Sequence, residues 1–129
     1  MCNTGVLELT YPASLRLRRG WEFDTVFRIG RRCSGGLVRL LFLEVSGETT
    51  RFGVVAGKKQ GNACIRSRGR RVLREAARRL APWTCCGYWL VLGLSRKGLE
   101  SDARRIYLDL ASLMDHAGLL TADWPGPQW

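Results

Sequence analysis

Apolar residues recur along the chain with two different periods, and the switches between them mark its elements. Between Gly20 and Gly30, Phe23, Val26 and Phe27 fall at i, i+3 and i+4, the spacing of one helical face closed by a glycine, which predicts a short helix over 21–29. Residues 37–45 are mostly apolar and of strand length, and they run into the polar turn Ser46-Gly47-Glu48; residues 51–56 read as a second strand. A buried strand is expected at 87–92, where Tyr88, Trp89 and Val91 supply β-forming side chains. Within 61–80, Ile65, Gly69, Val72, Leu73, Ala76 and Leu80 fall in one stripe about 100° wide, the core face of an amphipathic helix. Apolar positions then recur at Ala103, Ile106, Tyr107, Leu110, Leu113, Met114 and Ala117 until Gly118 stops a last helix over 101–117. The expected order is α-β-β-α-β-α, an α+β sandwich in which helices cover a small sheet.

Composition sets the scale of that fold. With 129 residues, 46% of them hydrophobic, the chain has enough apolar material for one modest core without metal or disulfide staples. We expect a single domain over 13–118, an N-terminal extension over 1–12, and a tail over 119–129. Pro125, Gly126 and Pro127 keep the tail from continuing a helix, so it is either disordered or loosely docked through its tryptophans. The most apolar window, 80–94, is broken by Pro82, Thr84 and Gly87, so no membrane span is expected. The first residues lack the basic and apolar regions of a secretory signal. Five cysteines without a C-x-x-C pair suggest a reduced, cytoplasmic setting. His116 is the sole histidine, which removes most histidine-based catalytic schemes; it reads as structural or exposed.

Charge changes the picture more. The formal net charge is +10, and it is concentrated. Residues 51–80 hold ten Lys and Arg against Glu75 alone, giving +9, and residues 16–32 hold six Arg against Glu22 and Asp24, giving +4. A charge needed only for solubility would be spread evenly, so one surface is expected to meet a polyanion. On the predicted helix, Ser67, Arg70, Arg71, Arg74 and Arg78 lie opposite the apolar stripe, flanked by Arg66 and Arg68. Arg66, Arg70, Arg74 and Arg78 form an i, i+4 ladder of like charges, each pair costing about 0.2–0.5 kcal/mol in an isolated helix. Glu75 is expected to relieve it through Arg71 and Arg79. Gly69 costs roughly 1 kcal/mol more relative to alanine, which signals a close approach there. Lys58, Lys59 and Asn62 gather at the helix start, where backbone N–H groups already favour anions. A solvated charged face is the plain alternative, but the near absence of acidic interleaving favours nucleic acid.

The run Lys58-Lys59-x-Gly61-Asn62-Ala63-x-x-Arg66-Ser67-Arg68-x-x-Arg71-x-x-Arg74-Glu75 resembles the signature of the bacterial ribonuclease P protein subunit, K-K-x-G-N-A-V-x-R-N-R-x-K-R-x-x-R-E. Arg66 and Arg68 match the arginines of its R-N-R motif, while Cys64, Ser67 and Arg70 replace the family's Val, Asn and Lys. Serine keeps a polar group but lacks the paired donor and acceptor of an amide. Arg16-Leu17, Phe23-x-x-Val26-Phe27-x-x-Gly30, Arg51-Phe52-Gly53 and Leu90-Val91 extend the similarity over roughly residues 11–117.

This resemblance implies a fold like domain 2 of ribosomal protein S5, with a left-handed β-α-β crossover around the basic helix. Connectivity alone favours the right-handed form, found in about 98% of such units. The resemblance further implies an accessory subunit of an endoribonuclease in which a catalytic RNA, with Mg²⁺, removes the 5′ leader of precursor tRNA. The ion would be bound mainly by that RNA, with no organic cofactor and no catalytic or metal-ligating residue in this chain. Lys58, Lys59, Asn62, Arg66, Ser67, Arg68, Arg70, Arg71 and Arg74 would contact RNA. Arg16, Phe23 and Phe27 would belong to a cleft for the single-stranded leader, where aromatics stack on bases at about 1–3 kcal/mol each. Core packing is the competing use of the two rings, and Trp21, Trp83 and Trp89 read as packing residues. Arg66 and Arg68 are expected to be dispensable for folding.

Other readings are weaker. A nuclease acting alone would draw on Glu44, Glu48, Asp102 and Asp109, which show no compact metal-ligand spacing. Another small basic RNA-binding protein, such as a ribosomal protein, shares the composition. A DNA-binding helix-turn-helix needs two adjacent helices that this order does not supply.

Overall fold

The computed structural model describes residues 16–56 and 62–129. Its elements are α1 (Gly20–Ile29), β1 (Arg31–Ser34), β2 (Val38–Glu44), β3 (Arg51–Val54), α2 (Ala63–Leu80), β4 (Tyr88–Leu94), α3 (Arg96–Leu99) and α4 (Ala103–His116), with a 3-10 turn at Ala81–Trp83 after α2. The strands form one mixed sheet in the order β1-β2-β4-β3. The β1/β2 and β2/β4 pairs are antiparallel, whereas β3 and β4 are parallel neighbours joined through α2.

This is the expected α+β class, with two elements added to the expected order. β1 was absent from it because Arg31-Arg32-Cys33-Ser34 carries no apolar alternation; its burial is mostly exposed and its ladder against Arg39–Phe42 alone makes it a strand. α3 is only four residues long, too short to show a helical period, and starts where the Ser95 side chain accepts from the Gly98 N–H at 3.1 Å.

Alternation along the central strands divides the core. Leu40 and Phe42 of β2, with Leu90, Leu92 and Leu94 of β4, face α2 and α4, where Leu73, Ala76, Leu80, Ile106, Leu110 and Met114 complete the larger cluster. Leu41, Trp89 and Val91 face the other way and are covered by Val26 of α1 together with Leu17. β4 is buried along nearly its whole length, as a strand sandwiched between helical layers must be. Gly69 explains itself in this packing: a Cβ there would lie 3.2 Å from both Leu94 Cδ1 and Leu99 Cδ2, so glycine lets α2 approach the sheet and α3 closely. The tail docks. Leu119 is buried, its carbonyl accepts from the Cys85 N–H at 2.8 Å, and Trp124 packs against the larger cluster. Among the described residues no helix is long and apolar enough to cross a membrane.

Candidate nucleic-acid interface

α2 begins at Asn62, whose side-chain oxygen accepts from the Ile65 N–H at 3.0 Å. The asparagine at this position is therefore an N-cap, and its amide nitrogen is left to donate to RNA. Gly69, Leu73, Ala76, Ala77 and Leu80 are buried, close to the expected stripe. Ile65 departs from it, being 41% exposed on the first turn. Lys58 and Lys59 lie outside the described residues.

The arginines of α2 do not form one uniform face. Ser67 and Arg71 are exposed, and Arg66, Arg70 and Arg74 are half-buried. The Nε of Arg66 is buried without a hydrogen-bond partner among the described residues. Arg70 donates to Ser67 Oγ at 3.3 Å. Arg68 turns inward, donating to the Leu99 and Ser101 carbonyls, so it fastens α2 to the segment between α3 and α4. Glu75 pairs with Arg78 and Arg79, not with Arg71; an acid N-terminal to its base at i+3 or i+4 is the better orientation on a helix. Hydrogen bonding from Arg78 outweighs burial and holds the Glu75 carboxyl below its ordinary range, while the same bond raises the Arg78 value.

On the opposite layer, the ring of Phe23 of α1 packs closely against β3 at Gly53. A Cβ on Gly53 would be driven into the Phe23 ring, so the sequence Arg51-Phe52-Gly53 makes the seat for that side chain. Residues 16–17 run alongside β3: Arg16 bridges Phe52, and the Leu17 N–H donates to the Phe52 carbonyl at 2.8 Å. The result is a cavity of about 170 Å³ at the β3 edge, walled by Arg16, Phe23, Gly53 and, from α2, Arg74. The two groups of residues separated by sequence reasoning thus meet at Arg74. Phe27 does not line this cavity; it sits one turn further along α1 and is 38% exposed.

Sequence reasoning missed the group that holds α1 in place. Glu22 is buried and accepts from the Arg18 and Arg19 N–H groups at 2.9 and 3.0 Å and from Arg51 at 2.6 Å. Burial pushes its carboxyl up, but the Arg19 and Arg18 backbone hydrogen bonds and the Arg51 guanidinium prevail and hold it below its ordinary value. Arg51 in turn lies 5.0 Å over the Trp89 ring. Trp21 meets Trp89 edge-on at 5.8 Å yet is 58% exposed, so the packing role expected of it belongs to Trp89 alone of that pair.

The family model described as Ribonuclease P matches residues 11–118. The chain belongs to the ribonuclease P protein family. The ribonuclease P protein component of Symbiobacterium thermophilum is 33% identical over 106 residues, covering 81% of this chain and 92% of that protein. Among solved structures, the ribonuclease P protein from Thermotoga maritima superposes with a TM-score of 0.71 at 26% identity, over 78% of this chain and 96% of its own. The Staphylococcus aureus ribonuclease P protein gives 0.74 at 16% identity, over 83% and 98%, a likeness of fold. Family membership assigns the chain's role to ribonuclease P.

As for the carboxylates, Asp109 accepts from the Leu37 and Val38 N–H groups at 3.0 and 2.8 Å, and Asp102 caps α4 by accepting from the Arg105 N–H at 2.8 Å. Among the described residues, no group of three or more His, Cys, Asp or Glu side chains is gathered where a metal ion would sit.

Proposed function

We propose that this chain is the accessory protein subunit of ribonuclease P, binding the catalytic RNA through α2 and the 5′ leader of precursor tRNA beside α1. The observation that carries the reading is the shared cavity at the β3 edge. Phe23 offers an aromatic edge, Arg16 and Arg74 offer guanidinium groups, and Gly53 lets the ring sit close to the strand. That combination suits an unpaired strand, because stacking is sequence-tolerant and the cations track its phosphates. Arg66, Arg70 and Arg71, with Asn62, Ser67, Lys58 and Lys59, supply the contacts to the catalytic RNA, and guanidinium forks bind phosphates bidentately. Arg68 contributes by holding this surface in register as well as by charge. The left-handed β3-α2-β4 crossover and a cytoplasmic setting belong to the same reading.

In this division of labour the RNA and the Mg²⁺ it holds carry the phosphodiester hydrolysis that yields the mature tRNA 5′ end. The protein raises affinity for the leader and neutralises phosphates where the two RNAs approach. Affinity for a bacterial ribonuclease P RNA, ribosomal RNA and duplex DNA, compared at one salt concentration, tests the assignment. Preference for the first supports it; equal affinity for all three would leave only a general polyanion binder.

A further inference from the structure

The tail builds a second cavity at the far end of α2. The Thr121 N–H donates to the Trp83 carbonyl at 2.7 Å, and the Gln128 N–H donates to the Tyr107 hydroxyl at 2.9 Å. Between the tail, the end of α2 and Tyr107 of α4 lies a cavity of about 550 Å³, walled by Arg78, Arg79, Trp83, Tyr107, Trp124 and Trp129. That volume is within the range of small-ligand sites. Glu75 accepts from both Arg78 and Arg79, so both guanidinium groups are fixed at the wall in advance. Arg79 is stacked 4.1 Å over the Trp129 ring, which meets Tyr107 at 5.4 Å. Among the described residues Arg79 commits only its Nε to Glu75, which leaves its two terminal nitrogens to donate to a ligand.

Planar aromatic walls beside a fixed guanidinium match a heteroaromatic ring that carries an anionic group. A nucleotide has both parts: the base stacks on indole or phenol rings, and the phosphate accepts from the arginine fork. An acidic peptide would use the cations and leave the indoles idle, while a proline-rich peptide would do the reverse. Arg78 is also the last rung of the ladder that runs from Arg66 through Arg70 and Arg74 along α2, so the cavity continues the surface assigned to RNA. We propose that this cavity binds one unpaired ribonucleotide of an RNA strand, its base among the aromatic walls and its phosphate at Arg79. The source of the ligand rests on the reading of α2 as an RNA-binding helix; the chemistry of the cavity does not.

The test follows the indole N–H resonances of the full chain during titration with adenosine 5′-monophosphate and with single-stranded oligoadenylate. Both should shift Trp83, Trp124 and Trp129 while leaving Trp21 and Trp89 unmoved at low ligand, and the oligonucleotide should bind the more tightly. Arg79→Gln should weaken the response roughly tenfold or more, the share of a charge-assisted hydrogen bond, and Trp129→Phe, which keeps an aromatic ring, should largely preserve it. Tighter binding of the mononucleotide would overturn an RNA strand as the source. Shifts induced by a polyproline peptide and by neither nucleotide would overturn the nucleotide altogether. Catalytic-RNA affinity is measured on the same samples. Silent indoles with that affinity intact would refute the cavity proposal and spare the α2 reading, whereas loss of both would refute both.

Discussion

Both terminal nitrogens of Arg68 donate to carbonyls outside their own helix, Leu99 at 3.3 Å and Ser101 at 3.0 Å. One of the two arginines in the Arg66-Ser67-Arg68 motif is thus a fastener between α2 and the turn that leads from the end of α3 towards α4. Hydrogen bonds from charged groups are worth about 1.5–3 kcal/mol, so Arg68→Ala should lower stability by about 1–3 kcal/mol. Arg66→Ala should leave thermal unfolding within about 0.5 kcal/mol of the parent, as for substitutions away from such anchors. Equal melting temperatures for the two variants would return Arg68 to a purely RNA-facing role, as expected from the sequence.

Phe23 and Gly53 form one unit, so either substitution should disturb leader binding. Phe23→Ala should weaken precursor tRNA binding by roughly 5- to 100-fold, the value of a stacked base, and change mature tRNA binding little. Gly53→Ala forces the ring away and should cost about 1–3 kcal/mol of stability through overpacking, with the same loss of selectivity. The ratio of precursor to mature affinity in the reconstituted complex is the measurement. Parallel losses for both tRNAs would place the cavity off the leader's path.

Glu22 makes a pH prediction whose sign follows from its lowered carboxyl. Its stabilising effect is full above the ordinary glutamate value of about 4.3, and it fades as the pH falls through the lower folded value. Glu22→Gln should therefore be less stable than the parent by about 1–3 kcal/mol at neutral pH, and the gap should narrow below roughly pH 4. Denaturant melts at pH 7, 5 and 3 decide it; a gap independent of pH would show that shape, not charge, matters at this position.

Capping and phosphate contact are separable at the start of α2. Asn62→Ala should cost about 0.5–2 kcal/mol for the lost cap, while Asn62→Asp keeps an acceptor for the Ile65 N–H and should preserve stability. The added negative charge should nevertheless weaken catalytic-RNA binding. Arg71→Ala, at an exposed position, should leave melting unchanged and lower the salt slope of RNA affinity by roughly one. An unchanged slope would remove Arg71 from the interface.

Long periodic elements were legible without coordinates. From Gly69 to Leu80 the apolar stripe of α2 stands where the pattern puts it, as does the β-forming run of β4, and Gly69 does mark a close approach. What escaped had no local signal. β1 exists only through its ladder to β2, and the Glu22–Arg51 pair joins residues 29 positions apart. Arg74 counted as one more arginine on a polar face, yet the β3 edge brings it beside Phe23 and Arg16. Trp21 read as a packing residue like Trp89, yet it meets Trp89 edge-on and stays 58% exposed, which its residue type alone does not reveal.

Reconstitution with a bacterial ribonuclease P RNA at limiting Mg²⁺, scored by release of the 5′ leader from precursor tRNA, tests the central claim most directly. Addition of this chain should restore cleavage at the mature 5′ end, with Arg16→Ala and Phe23→Ala each restoring less. A folded chain that binds the RNA and leaves cleavage unchanged would contradict the account, as would leader release by the protein with no RNA subunit added.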